Sequence, residues 1–266
     1  MNLIDRCFAG LALQGRKALM PYLTMGYPAL DSLPKLVAAA VAGGADIVEV
    51  GIPFSDPVAD GPVIQATSQR AIENGMTLTL ALHQIAELPR DDHTPPIVVM
   101  TYTNVLMNHG YARFAAQASA AGVSGLIVPD MPVEASDELR AQLEPAGIHM
   151  IFMVTPNLSD ARLQRIAVQA KGFLYLVSVL GTTGERSEMA DISSFITRVR
   201  QHTTLPLAVG FGVGTPEQAR HLWEQVEGVI IGSALARRLS DTDQAPIEAQ
   251  RYLASFKDRA RNHASV

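Results

Sequence analysis

Two carboxylates, Glu49 and Asp60, bracket the stretch of this chain best suited to chemistry: Val48-Glu-Val-Gly-Ile-Pro-Phe-Ser-Asp-Pro-Val-Ala-Asp-Gly-Pro62. Glu49 interrupts an apolar run that reads as a buried strand, where an acid is costly unless it is paired or put to use. Two readings of Glu49 stand side by side. It is either a structural glutamate tied to a neighbouring Arg or Lys, or a general acid/base whose pKa is raised by desolvation. Asp60 is two-sided as well, because Asp-Gly-Pro before Val63 is a good helix start. The Gly/Pro-punctuated span between the two acids carries Asp56 and reads as a connector.

A second kind of chemistry is suggested by glycines where apolar runs hand over to helices. They occur in Val209-Gly-Phe-Gly-Val-Gly-Thr-Pro216, in Ile230-Ile-Gly-Ser-Ala234 and in Gly181-Thr-Thr-Gly184. Any one of these could be a tight turn and nothing more. Three together favour backbone N–H groups converging on an anion, as at helix N-termini.

Absences narrow the reaction. A Schiff-base enzyme needs a lysine late in a strand, and none of Lys17, Lys35, Lys171 or Lys257 falls there. The seven histidines are scattered and Cys7 is the lone cysteine, so neither a clustered metal site nor a disulfide framework is expected. A net charge of −5 with no Lys/Arg cluster argues against a nucleic-acid surface. No apolar run reaches the ~18 residues of a membrane span, and no signal peptide opens the chain, so a cytoplasmic protein is expected. What remains is carboxylate acid–base chemistry on a phosphorylated small molecule, with no metal and no cofactor in this chain.

The elements that must position these groups repeat along the sequence. With 48% hydrophobic and 18% charged residues, a large core is possible. Leu3, Ile4, Cys7, Phe8 and Leu11 recur at helical spacing, predicting an extra N-terminal helix. Strands are expected at 18–26, 47–52, 97–102, 125–130, 149–154, 173–178, 205–211 and 228–231. Helices are expected at about 31–43, 63–74, 78–88, 111–121, 134–146, 159–170, 191–201, 216–226, 234–239 and 246–261. Ser159 is the expected N-cap of its helix. Alternation within the second strand would turn Ile47, Glu49 and Gly51 to one side and Val48, Val50 and Ile52 to the other. Eight short apolar strands, each followed by helix, imply a parallel sheet buried on both faces. The fold class is therefore α/β, a single (β/α)8 TIM barrel over residues 1–266, with an open doubly wound sheet as runner-up. In a barrel, the loops after the strands carry the site.

Several of these motifs resemble those of one family. Val48-Glu-Val-Gly-Ile-Pro-Phe-Ser-Asp-Pro-Val-Ala-Asp-Gly-Pro-Val-Ile-Gln65 is very similar to the signature of the tryptophan synthase α subunit family. So are Pro21-Tyr-Leu-Thr-Met-Gly-Tyr-Pro28, Leu126-Ile-Val-Pro-Asp-Met-Pro-Val-Glu134, Tyr175-Leu-Val-Ser178 and Val209-Gly-Phe-Gly212. The resemblance is collinear over nearly the whole chain. It implies a barrel lyase that cleaves indole-3-glycerol phosphate, by a retro-aldol reaction, to indole and glyceraldehyde 3-phosphate.

Carried over by position, the resemblance implies Glu49 and Asp60 as the catalytic pair. It implies phosphate binding by Thr183, Gly184, Phe211, Gly212, Gly232 and Ser233, and an indole pocket of Tyr22, Ile64, Met100 and Tyr175. It further implies a β-subunit partner in an α2β2 assembly, with pyridoxal phosphate belonging to that partner. Pro53, Phe54, Ser55, Asp56 and Pro57, with Asn104 and Asn108, would face the partner. Two departures stand out. The loop after strand six reads Gly181-Thr-Thr-Gly-Glu-Arg186 where the family usually has Gly-Val-Thr-Gly-Ala-Arg, and Gly214 replaces a usual hydroxyl residue. Alternatives are a free-standing indole-releasing lyase and a phosphate-binding regulatory subunit without turnover. Intact Glu49 and Asp60 count against the regulatory subunit.

Overall fold

The computed structural model describes residues 1–91, 94–177, 192–210 and 212–257. Eight strands hydrogen-bond to one another in sequence order, all parallel. They are β1 (Ala18–Thr24), β2 (Val48–Gly51), β3 (Ile97–Met100), β4 (Val123–Ile127), β5 (His149–Val154), β6 (Leu174–Val177), β7 (Leu207–Gly210) and β8 (Gly228–Ile231). Pairing of β8 with β1 closes the barrel, so the open-sheet alternative falls.

Helices α1 (Leu3–Leu13) and α2 (Leu33–Gly43) flank β1. Two helices, α3 (Pro62–Glu73) and α4 (Leu78–Ala86), follow β2, and two more, α5 (Thr103–His109) and α6 (Tyr111–Ala120), follow β3. The ring continues with α7 (Asp137–Leu143), α8 (Asp160–Gln169), α9 (Ser193–Arg200) and α10 (Pro216–Trp223), and ends with α11 (Ser233–Ala236) and α12 (Ala245–Lys257). Among the described residues no helix is long and apolar enough to cross a membrane.

Local chemistry fixes several of these boundaries. Ser159 accepts the Arg162 N–H at the start of α8, as its sequence position suggests. Thr215 and Gln218 form a reciprocal capping box on α10, with Pro216 in its first turn. Two expectations need correction. The helix expected over 134–146 is split into a 3-10 turn at Val133–Ala135 and the shorter α7, because buried Ser136 turns its hydroxyl back to the Val133 carbonyl at 2.8 Å. Helix α5 was not expected at all. Only Leu106 of its seven residues is buried, so it carries no periodic signal. Its start is held from outside instead, by Asp130 Oδ1, which accepts both the backbone N–H (2.9 Å) and the hydroxyl (3.0 Å) of Thr103.

The alternation expected of β2 is present. Val48, Val50 and Ile52 belong to the apolar layer between sheet and helices. Ile47 belongs to the barrel interior with Met20, Val98, Ile127, Ile151, Phe173 and Ile230. Helix α1 closes the amino-terminal end of that interior by inserting Ile4, Phe8 and Leu11, and the Phe8 and Phe173 rings lie 5.9 Å apart. Burying each of these side chains stabilises by roughly 1.5–3 kcal/mol. Gly125 leaves room for this closure: a Cβ there would lie 2.8 Å from the Ile4 Cδ1 methyl, which would have to shift. Asn2 secures the helix start: its side-chain oxygen accepts the Ile4 N–H, and its amide donates to the carbonyls of Ser124 and Gly147, each at 2.8 Å. Among the described residues the carboxyl-terminal end has no such plug, and the candidate site lies there.

Candidate active site

Glu49 is the second residue of β2 and points inward. Its barrel neighbours in register are Tyr22 on β1 and Val98 on β3. The next inward position of β2 is Gly51. A Cβ there would collide with the Tyr22 ring, so glycine is what lets that ring lie across the mouth of the barrel. Gly210 does the same for Tyr175. These two glycines trade a side chain of their own for the placement of a neighbour's aromatic ring.

The result is an open cavity at the carboxyl ends of the strands. Glu49 and Asp60 both line it, with Tyr22, Ile64, Met100 and Tyr175 as apolar wall and Gly212, Gly232 and Ser233 at another side. Nine of the residues singled out from the sequence thus converge on one space. Gly61, Val213 and Ile230 complete the lining. Among the described residues no lysine or arginine lines this cavity, and the donors they offer an anion are backbone N–H groups and the Ser233 hydroxyl. Thr183, Gly184 and Phe211, also expected to bind phosphate, lie outside the described residues.

The structural alternatives for the two acids both fail. Among the described residues no Arg or Lys pairs with Glu49: it is 1% exposed, and neither of its carboxyl oxygens has a hydrogen-bond partner there. Burial pushes its pKa up to about 8, and the neighbouring charge of Asp60 adds to the rise. At pH 7 it is mostly protonated, an acid with a proton to give. Asp60, for its part, is not a helix cap. The N-cap of α3 is Gly61, which makes no side-chain cap, and Pro62 opens the helix.

Instead, the Asp60 carboxyl Oδ2 accepts the Tyr102 hydroxyl at 3.0 Å. Burial raises its pKa to about 6 and the Tyr102 hydrogen bond opposes that rise. Asp60 is therefore mostly ionised at pH 7, and the two carboxyls sit in opposite states. Such a split is the mark of an acid–base pair.

Tyr102 is the residue that sequence reasoning passed over. In the sequence it is simply the last residue of the apolar run 97–102, although a tyrosine at the carboxyl end of a barrel strand is placed where barrel chemistry occurs. It is buried, and its ring packs against Phe54 at 5.3 Å between centroids. That contact brings the 53–57 segment beside α5. Pro53 is buried, Phe54 and Pro57 are half-buried, and Ser55 and Asp56 are exposed. On α5, Asn104 and Asn108 are exposed, and the apolar side chains of Met107 (63%) and Val58 (74%) add unpaired surface nearby in sequence.

The departure at Gly214 also has a local account. Its N–H and that of Thr215 are both held by Gln218 Oε1, at 2.8 and 3.0 Å, and its carbonyl accepts the Tyr252 hydroxyl at 2.7 Å. A Cβ there would lie 3.3 Å from that of Ala234, a tight fit. Among the described residues, no group of three or more His, Cys, Asp or Glu side chains is placed to hold a metal ion.

Known proteins match this chain over nearly its whole length. Residues 8–265 match the family model described as tryptophan synthase alpha chain. The tryptophan synthase alpha chain of Laribacter hongkongensis is 44% identical over 259 residues, covering 97% of this chain and 98% of that one. That of Geobacter sulfurreducens is 42% identical over 262 residues, 98% of each chain. Among solved structures, the tryptophan synthase alpha chain of Legionella pneumophila superposes with a TM-score of 0.90 at 31% identity over 100% of both chains. Tryptophan synthase of Mycobacterium tuberculosis gives 0.88 at 31%, covering 97% of this chain and 98% of that one. By the extent of these matches and the convergence of its motif residues on one cavity, this chain belongs to the tryptophan synthase alpha chain family.

Proposed function

We propose that this chain is a carbon–carbon lyase that cleaves indole-3-glycerol phosphate to indole and D-glyceraldehyde 3-phosphate, and that it works as the α subunit of an α2β2 assembly. The observation that carries the reading is buried Glu49, without a hydrogen-bond partner among the described residues and with its pKa pushed up by burial, sharing a cavity with Asp60.

The chemistry follows from that arrangement. Glu49 gives its proton to indole C3, which leaves positive charge on the ring nitrogen. The Asp60 carboxylate accepts the indole N–H and stabilises that charge. Glu49, now a carboxylate, takes the proton from the hydroxyl on the glycerol carbon bonded to C3. The O–H electrons become the aldehyde C=O, and the electrons of the breaking C–C bond return to the ring and neutralise the nitrogen. Glu49 ends protonated, so the cycle closes without metal or cofactor in this chain. Tyr22, Ile64, Met100 and Tyr175 offer an apolar wall for indole, and Gly212, Gly232 and Ser233, with Thr183, Gly184 and Phe211, are assigned to the phosphate.

The partner would be a β subunit that carries pyridoxal phosphate and joins indole to serine. Exposed Ser55, Asp56, Asn104 and Asn108, with Val58 and Met107, offer a mixed polar and apolar surface for it. The test is indole release from indole-3-glycerol phosphate, with and without the cognate β subunit. Slow release alone and faster release with β is the expected result. Equal rates would remove the partnered reading, and no release in either case would remove the lyase.

A further inference from the structure

We propose that Tyr102 is a positioning residue for the reaction: its hydroxyl fixes the Asp60 carboxylate so that one oxygen is committed and the other is presented to the indole N–H. The inference rests on the assignment of Asp60 to the indole nitrogen.

A phenolic oxygen has one proton to give and lone pairs to offer. Tyr102 gives its proton to Asp60 Oδ2 at 3.0 Å and accepts the backbone N–H of Ala59 at 3.3 Å. These bonds go to consecutive residues, so a single hydroxyl fixes both the side-chain torsion of Asp60 and the backbone that carries it. The ring is held in turn against Phe54, at 5.3 Å and 32°, and is itself 2% exposed. Among the described residues this is the sole side-chain hydrogen bond of Asp60, which leaves Oδ1 as the open acceptor. Among the described residues, the charged or titratable groups facing Asp60 are Glu49 from β2, Tyr22 from β1, Tyr175 from β6 and Tyr102 itself. Of these, Tyr102 alone donates to it. Losing that donor removes an interaction that favours the charged carboxylate, so the Asp60 pKa rises further from about 6.

Tyr102→Phe keeps the ring against Phe54 and deletes the hydroxyl. Expected are a kcat for indole release lower by roughly tenfold, little change in KM, and an acid limb of kcat/KM moved up by about one pH unit. Because a substrate phosphate titrates near pH 6 as well, the deciding readout is the Asp60 titration midpoint in ligand-free protein, followed by NMR with carboxyl-labelled aspartate. The midpoint rises in Tyr102→Phe. It falls when 3-fluorotyrosine, a stronger donor of the same shape, is placed at 102. A purely structural tyrosine would move neither. Should Tyr102→Phe not fold, the fluorotyrosine protein carries the test alone, and an unmoved midpoint overturns the proposal. Asp60→Asn separates the two levels. If it keeps full indole release, the role of Asp60 fails whatever Tyr102 does. If it is inactive while Tyr102→Phe matches the unsubstituted protein in kcat and midpoint, the positioning role alone is wrong.

Discussion

The two ends of this barrel treat their polar groups in opposite ways. At the amino-terminal end, Asn2 makes three hydrogen bonds and His149 Nε2 meets Asp5 Oδ2 at 2.8 Å, while Ile4, Phe8 and Leu11 fill the space beneath the strands. At the carboxyl-terminal end, Glu49 is far more deeply buried, at 1% exposed, yet has no hydrogen-bond partner among the described residues, and Gly51 and Gly210 leave room rather than fill it. A buried carboxyl without a partner costs stability that a charged or satisfied neighbour would recover. One end is thus built for stability and the other sets stability against function, as expected of an active site.

The largest expected effect is at the open end. Glu49→Gln removes the transferable proton and should lower kcat for indole release by roughly a thousandfold, with binding of a phosphate-bearing substrate analogue retained. The same variant tests the stability half of the comparison through pH. The folded pKa of about 8 lies above the usual 4.5, so the stability tied to protonated Glu49 is fully present below pH 4.5 and is lost as pH rises through 8. Gln does not titrate. Relative to the natural chain, Glu49→Gln should therefore gain stability between about pH 4.5 and 8, by an amount on the order of a few kcal/mol, and level off above. Urea unfolding at pH 5 and pH 8 reads the difference. A constant offset across that window would mean that Glu49 is not held protonated by the fold.

The second effect belongs to the closed end. Phe8→Ala empties the space beside Phe173 and should cost about 3 kcal/mol or more of unfolding free energy, seen as a lower urea midpoint. The kcat for indole release, measured where the variant is fully folded, should stay unchanged. A fall in kcat comparable to that of Glu49→Gln would show that the plug and the mouth are coupled, and would break the division drawn above.

These contrasts also mark what could be read in the sequence. The barrel was legible because eight short apolar runs recur with helices between them, and the inward set of β2 followed from alternation alone. Glu49 was legible as an anomaly, an acid in an apolar run. Its meaning was not, because whether an Arg or Lys reaches a buried acid depends on residues far away in the chain. Asp60 was ambiguous for a similar reason: Asp-Gly-Pro supports a helix start, and the rival partner, Tyr102, lies 42 positions on. Helix α5 escaped notice because its start is held by Asp130 on the next βα unit rather than by a cap within its own segment. Local periodicity reached the fold, while the site depended on side chains meeting across strands.

The smallest effect uses the same chemical change as the largest. Asp5→Asn, like Glu49→Gln, replaces a carboxyl by its amide and keeps its shape. Asp5 is in the first turn of α1, where a negative charge favours the helix dipole, and its side chain is 38% exposed opposite His149 at 16%. A polar pair this exposed is worth only about 0.2–1 kcal/mol, and the amide oxygen can still accept a hydrogen bond from Nε2–H. The expected loss of unfolding free energy is therefore under about 1 kcal/mol, with kcat and the pH dependence of indole release unmoved. If Asp5→Asn instead slowed the reaction tenfold, burial and partnership would not be what separates a structural acid from a working one in this barrel.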